Sequence, residues 1–230
     1  MTNDGLNADA LAEINPPGRL SDLAYQRILE GLFDRRLPAG AFVSQNELVR
    51  LLGIPVAPLR DALRVLETEG ILRIHPRSGI QFVKPGLELT KSTYQFRSII
   101  ERAAIRVFAE IAQDAELDML FERHQAAFKA VEQDGLSPAL MAELEALESL
   151  LHNTVIDCLN NPLIETSYRR MHNYLRLVRL DRRLTPPLAL RSLREHLEII
   201  NACRARDADR AEAAVQAHFT AALQRHMGLY

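Results

Sequence analysis

The sequence predicts a mainly α-helical protein in two parts: an N-terminal unit of three helices closed by a small β-hairpin, then an antiparallel all-α bundle of about six helices. Three observations carry this expectation. Between Ser44 and Gly70, two short amphipathic segments flank a turn through Gly53 and Pro55. Ile71 to Ile74 and Ile80 to Val83 are apolar runs separated by a turn-like stretch from His75 to Gly79. Beyond Pro85 the composition shifts to Ala, Leu, Glu and Arg, with regular helix punctuation and no strand-like run.

Residues 1 to 19 are small and polar, with Pro16, Pro17 and Gly18, and read as a flexible arm. Ser21 then reads as an N-cap, with Leu20 stapled onto Tyr25 and a buried stripe of Tyr25, Ile28, Leu29 and Leu32. Leu37 to Gly40 is a turn, and Phe42 with Val43 is placed to pair briefly with the hairpin. Ser44 and Glu47 form a capping box opening a second helix, whose apolar face is Leu48, Leu51 and Leu52. Gly53 can take the positive φ needed to leave that helix, and Pro55 and Pro58 fit a turn and a first helical turn.

The third helix runs to about Glu69. Leu59, Leu63 and Leu66 follow i, i+4, i+7 spacing and are expected inside, while Val56, Arg60 and Arg64 lie on another line. Two leucine-packed helices with cations on the free face of the second fit a helix-turn-helix that enters a major groove. An ordinary amphipathic hairpin with solvated arginines is the competing reading of that stretch alone. The adjoining β-hairpin, with Arg77 at its tip, turns the balance toward a winged helix-turn-helix over residues 20–84.

The chain has 230 residues, 47% hydrophobic and 25% charged, a balance suited to one or two globular domains with a real core. No apolar run nears the ~20 residues that cross a bilayer, and the N-terminus lacks a cationic start with a hydrophobic core, so a cytoplasmic protein is expected. Cys158 and Cys203 stand alone and read as core thiols. The net charge of −2 excludes a strongly basic nucleic-acid binder, and residues 20 to 85 carry only nine Lys/Arg against seven Asp/Glu. Any affinity for DNA must therefore come from placement, through Arg60, Arg64, Arg73, Arg77 and Lys84, and must be salt-sensitive.

Residues 85–89, with Lys84-Pro85-Gly86 at their head, read as a linker. Helices are expected near 90–113, 115–133, 138–160, 162–181, 187–205 and 208–227. Ser137-Pro138 and Asn161-Pro162 are cap-plus-first-turn pairs, and Asp207 is a further N-cap. Within the bundle, Glu148 and His152 share one helix face, four residues apart. His196 and His218 fall mid-helix, in step with apolar stripes. A histidine inside a bundle is costly unless its nitrogens are satisfied, and a divalent metal satisfies several at once. Taken alone, these residues are also compatible with singly hydrogen-bonded core or surface histidines.

The motifs together resemble a known family. Leu37 to Gly40, Asn46 to Ile54, Pro58 to Leu72 and Ser78-Gly79 look like the DNA-binding domain of GntR-type bacterial transcription regulators. Within an all-helical effector-binding and dimerisation domain expected over residues 90–230, roughly residues 90–226 resemble the FCD effector domain of the FadR subfamily, of the six-helix VanR type, through Arg97 to Glu101, Glu148 to His152, Glu195-His196, Ala205 to Ala214 and Ala217-His218. The family usually has Ser-Arg where this chain has Pro55-Val56, and Val56 cannot donate a hydrogen bond.

The resemblance implies a dimeric, ligand-responsive regulator that binds a roughly palindromic double-stranded operator through Ser44, Val56, Arg60, Arg64, Arg77 and Gly79. It implies a divalent metal on Glu148, His152, His196 and His218, zinc first and nickel or manganese as alternatives; the family's acidic ligand is usually Asp, so Glu148 is a departure. It implies a small carboxylate effector held by Arg97, with Asn173 a further lining residue and Arg169 and Arg176 not separable from exposed positions. For Arg97, an i, i+4 surface pair with Glu101 is the competing reading. His75, His124, His172 and His226 match nothing in the pattern and read as structural or solvated. Repression relieved by ligand is the expected sign. A sensor that acts without sequence-specific DNA binding, and a metal-dependent enzyme, are the rivals; no general base or nucleophile is evident beside the ligands, which counts against the enzyme.

Overall fold

Helix α1 (Pro17–Phe33) opens the part of the chain that the structure, a computed structural model, describes: residues 17–180 and 184–228. The remainder of the first unit is β1 (Phe42–Val43), α2 (Gln45–Leu52), α3 (Val56–Thr68), β2 (Leu72–His75) and β3 (Gly79–Phe82). The second unit is α4 (Leu87–Ile111), α5 (Asp114–Asp134), α6 (Pro138–Asp157), α7 (Pro162–Arg179), α8 (Pro186–Arg204) and α9 (Ala208–His226). The two compact units divide between Pro85 and Gly86.

In the first unit α1 packs on α3 through Ala24, Ile28, Leu29 and Leu32 on one side and Leu59, Leu63 and Leu66 on the other. Polar bonds tie the helices further: Arg27 Nη1 donates to the Leu52 carbonyl at 2.6 Å, and the Tyr25 hydroxyl to Glu69 at 2.7 Å. The capping box forms, with Ser44 Oγ accepting from the Glu47 amide and Glu47 accepting from the Ser44 amide at 2.7 Å. Gly53 leaves α2 at φ 64°, its N–H donating to the Val49 carbonyl. Such a cap needs the left-handed region that glycine occupies without strain.

The sheet is antiparallel in the order β1-β3-β2, with Val43 opposite Ile80, and Leu72 opposite Phe82. Leu72, Ile80 and Phe82 point into the core, so the hairpin is anchored on one face as period-2 alternation requires. Gly79 sits at φ 107° where a Cβ would come within 2.9 Å of the Val43 carbonyl oxygen, which leaves room for no side chain.

Several expectations are corrected. Ser21 lies inside α1, which is already under way at Pro17, because proline is tolerated in a first helical turn; the proposed arm therefore ends before residue 17, and residues 1–16 lie outside the described residues. Leu51 is 50% exposed, since α2 buries only Leu48 and Leu52. The hairpin strands are shifted by one residue, to 72–75 and 79–82. The linker shrinks because α4 begins at Leu87, capped by Gly86.

The second unit is an all-helical bundle whose helices differ from the expected ranges by up to three residues at their ends; the expected extension of α7 to 181 runs outside the described residues. Ser137, Asn161 and Asp207 accept N-terminal amides as caps, and Pro138 and Pro162 open their helices. Helix α4 packs on α9, and α5 on α8. The main core gathers Ile105 and Phe108 of α4, Leu151 and Val155 of α6, Ile199 and Ile200 of α8, and Val215 and Phe219 of α9. Cys203 belongs to that core and Cys158 is half-buried; burial pushes the first thiol up to about 12 and the second to about 11. No helix among the described residues is long and apolar enough to cross a membrane.

Candidate metal centre and nucleic-acid face

The buried polar cluster of the bundle draws on five helices. Glu148 and His152 sit one turn apart on the inner face of α6, and α8 and α9 carry His196 and His218 toward them. One ligand atom from each of these four lies within 4.8 Å of the others, and all four residues are buried. His196 Nε2 is 3.2 Å from Glu148 Oε2, and His152 Nε2 is 3.4 Å from Glu148 Oε1.

The orientation of two of the imidazoles is imposed from behind. His152 Nδ1 meets Glu101 Oε2 of α4, and His218 Nδ1 lies 2.9 Å from Glu195 Oε2 of α8. A neutral ring that donates through Nδ1 keeps its Nε2 lone pair free. Nε2 of His152, His196 and His218 has no hydrogen-bond partner. Burial holds all three rings below the ordinary histidine range, which keeps them in the neutral, ligating form. Three unpartnered imidazole nitrogens and a carboxylate converging on one point are costly as an apolar core and well suited to a divalent ion. The donor set fits the metal expected there.

The carboxylates are held by guanidiniums. Arg97 Nε donates to Glu101 Oε1 at 2.7 Å and its Nη1 to Glu148 Oε1 at 3.2 Å, with the guanidinium 4.6 Å above the Phe219 ring. Arg179 Nη2 donates to the same Glu148 oxygen at 2.6 Å. Tyr168 donates its hydroxyl to Glu101 at 2.8 Å. Burial would raise the Glu101 carboxyl, but Arg97 and His152 overcome it and leave it at about 2. Burial likewise opposes ionisation of Glu148, and Arg179, His152, His196 and Arg97 hold it well below the usual range. Behind His218, Arg225 grips Glu195 with two bonds of 2.6 and 2.8 Å, and that carboxyl also sits at about 2.

The sequence-predicted residues are thus partly gathered. Glu148, His152, His196, His218 and Arg97 converge. Asn173, expected to line the effector pocket, is buried on α7, Arg169 is exposed, and Arg176 lies 3.6 Å from Glu145. The surface reading of the Arg97–Glu101 pair is corrected: the pair forms, in the core. His124 is structural rather than solvated, being fully buried with Nδ1 2.7 Å from the Leu120 carbonyl and its ring edge-on to His196. Among the remaining histidines, His172 is half-buried, His75 contacts Gln81, and His226 contacts Tyr94. Tyr168, Arg179 and Arg225 were not foreseen. Arg179 is one of several arginines in a run of similar spacing, and no local signal separates it from its neighbours.

On the first unit, Arg60 and Arg64 are exposed along α3, and Val56, at its first turn, is 39% exposed on the same line. Arg77 projects from the hairpin tip at φ 67°, and Arg73 is exposed on β2. Ser44 stands at the N-terminus of α2 and Gly79 at the start of β3. Arg64 lies 3.8 Å from Asp61 and its side chain is 68% exposed, so its charge is turned to solvent.

Two family models match the chain: bacterial regulatory proteins, gntR family, over residues 20–82, and FCD domain over residues 92–221. The uncharacterized HTH-type transcriptional regulator YdhC of Bacillus subtilis is 22% identical over 195 residues, 85% of either chain. The HTH-type transcriptional repressor RspR of Escherichia coli is 24% identical over 207 residues, 90% of this chain and 88% of that one. Among solved structures, E. coli McbR/YncC shares the fold with a TM-score of 0.72 at 17% identity, over 92% of this chain and 98% of that one.

Proposed function

The chain belongs to the gntR family of bacterial regulatory proteins and carries an FCD domain, and from that premise we propose a homodimeric, cytoplasmic repressor released by a small organic acid bound beside a divalent metal. At the coarser level it is a DNA-binding transcription regulator with an FCD effector domain, and its families and relatives are regulators rather than enzymes.

The observation that carries the finer reading is the convergence of three unpartnered Nε2 atoms on Glu148 in a buried site. Glu148, His152, His196 and His218 would hold the ion, zinc first, nickel or manganese second. A divalent ion supplies a positive centre for a carboxylate or hydroxyl oxygen. The protein's own contribution is orientation: Glu101 and Glu195 fix two rings, Arg97 holds Glu101 and Glu148, and burial keeps the imidazoles neutral. Arg97 has its Nε committed to Glu101 and its Nη1 to Glu148, so its Nη2 is what it can most readily offer a ligand.

Toward DNA, α3 enters a major groove with Arg60 and Arg64 on its free line, and the hairpin follows the backbone with Arg77 at its tip. Ser44, at a helix N-terminus, and Gly79, which lets the hairpin approach closely, serve phosphate contact. Val56 offers an apolar surface where a donor would read a base, so specificity rests on the arginines. Two-fold symmetry asks for a roughly palindromic operator. The acid must bind one arrangement of the dimer more tightly than the other, because equal affinity shifts nothing.

The test is fluorescence anisotropy of the purified protein on DNA from upstream of its own coding region, against shuffled DNA at two salt concentrations, with the metal content measured by elemental analysis. Tight sequence-dependent binding with one metal per chain supports the reading. Equal weak binding to both DNAs, confirmed by a random-sequence selection that enriches nothing, refutes sequence-specific regulation and favours a sensor that acts through protein partners.

A further inference from the structure

We infer that the effector site is built for a small dianion, and that Arg179 is the residue that sets this preference; the inference rests on the metal-and-acid reading proposed above. It comes from counting charge. Around the four ligand-bearing residues, the ionised groups among the described residues are Arg97 and Arg179 against Glu101 and Glu148, bound to one another by contacts of 2.6 to 3.2 Å. They sum to zero. Glu195 is matched by Arg225, with the half-exposed Arg191 3.3 Å from the same carboxylate. The imidazoles of His152, His196 and His218 are neutral in the ligating form.

A divalent ion therefore brings two positive charges that no described side chain of the cluster balances. Burying net charge is far more costly than burying a matched set. A monocarboxylate compensates half of the excess, whereas a ligand with two negative charges closes the balance. The geometry provides a place for the second one. The side chains of Arg97, Glu101, His152, His196 and His218 are at most 4% exposed, whereas Arg179 is 24% exposed and Glu148 10%. Of these groups, Arg179 is the cation that an anion arriving from solvent meets first.

Arg179 also has capacity to spare. Its Nη2 is engaged with Glu148, while its buried Nε has no hydrogen-bond partner. Arg97 is differently placed, with Nε on Glu101, Nη1 on Glu148 and its plane over Phe219. The unspent donor on Arg179 matches a carboxylate or phosphate oxygen, and a guanidinium binds such groups through paired N–H donors. One acidic group of the ligand thus lies on the metal side and the other on Arg179.

The experiment is isothermal titration calorimetry on the full chain, with metal content measured beforehand. L-malate and L-lactate present the same α-hydroxycarboxylate and differ in having a second carboxylate; glycerol 3-phosphate tests a phosphate as the source of the dianion. The expected result is a dianion, malate or glycerol 3-phosphate, binding at least about tenfold more tightly than lactate. Arg179→Gln brings that ratio below about threefold with metal content retained, and Arg179→Lys, which keeps the charge, preserves most of it. Equal affinities, no binding of any of the three acids, or a preference that survives Arg179→Gln or is lost in Arg179→Lys overturns the inference. Should the Gln variant not fold, the wild-type ratio and the Lys variant decide. Protein purified without stoichiometric metal, and taking none up, refutes the underlying reading instead.

Discussion

Arg97 and Glu101 lie one turn apart on α4, and the arginine Nε donates to the carboxylate at 2.7 Å with both side chains only 1% exposed. On a helix surface such a pair adds a few tenths of a kcal/mol. Here it is part of the scaffold, because the other oxygen of Glu101 engages His152 Nδ1 and Tyr168 bonds to the first. Glu101 is therefore a positioning residue for His152, one of the four residues that could hold a metal ion.

Glu101→Gln keeps the shape and removes the charge. Leaving Arg97 short of one partner in the core is expected to destabilise the second unit by about 3 kcal/mol, and losing the carboxylate behind His152 to weaken metal binding by about 10- to 100-fold. Urea unfolding and a competitive zinc titration measure the two. Stability and affinity within error of wild type would show that Glu101 is dispensable.

His196→Ala and His218→Ala each remove one of the convergent Nε2 atoms, and the double variant is expected to retain no stoichiometric metal. Elemental analysis after gel filtration reads this directly. Metal retained at one per chain would place the site elsewhere.

Stability should fall with acid well before the carboxylates titrate. Burial, with the nearby His196 for His124 and the nearby Arg97 for His172, holds both rings at about 4, against an ordinary 6.5. Between those values the unfolded chain binds protons that the folded chain refuses, so stability present above pH 6.5 is lost as pH falls toward 4. The depressed Glu101 and Glu195, at about 2, add a further loss between about 4.5 and 2. Urea midpoints at pH 7.5 and 5.0 give the first window, and His172→Gln should shrink the difference. A midpoint unchanged across that window contradicts the assignment.

Ser44→Ala removes the cap of α2 and should cost about 1 kcal/mol, whereas Ser44→Asn keeps an acceptor and most of the stability. Thermal melts of both variants test this; equal losses would mean that the hydroxyl matters for something other than capping.

Arg60→Ala should weaken specific DNA binding by about 1–3 kcal/mol while sparing nonspecific binding, and Arg77→Ala should lower both and reduce the salt slope by about 1. Anisotropy across a salt series separates them. An unchanged specificity ratio in Arg60→Ala would mean that this arginine touches phosphate alone.

Much of the fold was legible because its signals are local. The Ser44–Glu47 capping box, the cap of α2 by Gly53, the Leu59, Leu63, Leu66 stripe and the proline-headed helices α6 and α7 each follow from residues a few positions apart. Errors arose where a local pattern admits two registers. Leu51 belongs to an apolar run but falls beyond the buried face of an eight-residue helix. Ser21 is a good cap residue that sits within a helix already begun.

What the sequence by itself determined is the set of helical faces: Glu148 with His152, Arg97 with Glu101, and Arg60 with Arg64 share a face by spacing alone, and family resemblance brought His196 and His218 into the same list. What only the tertiary structure decided is who stands behind each of them. Glu101 behind His152, Glu195 and Arg225 behind His218, and Arg179 on Glu148 join residues from 23 to 51 positions apart. The physical reason is that spacing along a helix sets direction, while burial and charge compensation depend on which helices pack together. A carboxylate in the core is tolerable only where other elements bring cations to it, and no single helix contains that information.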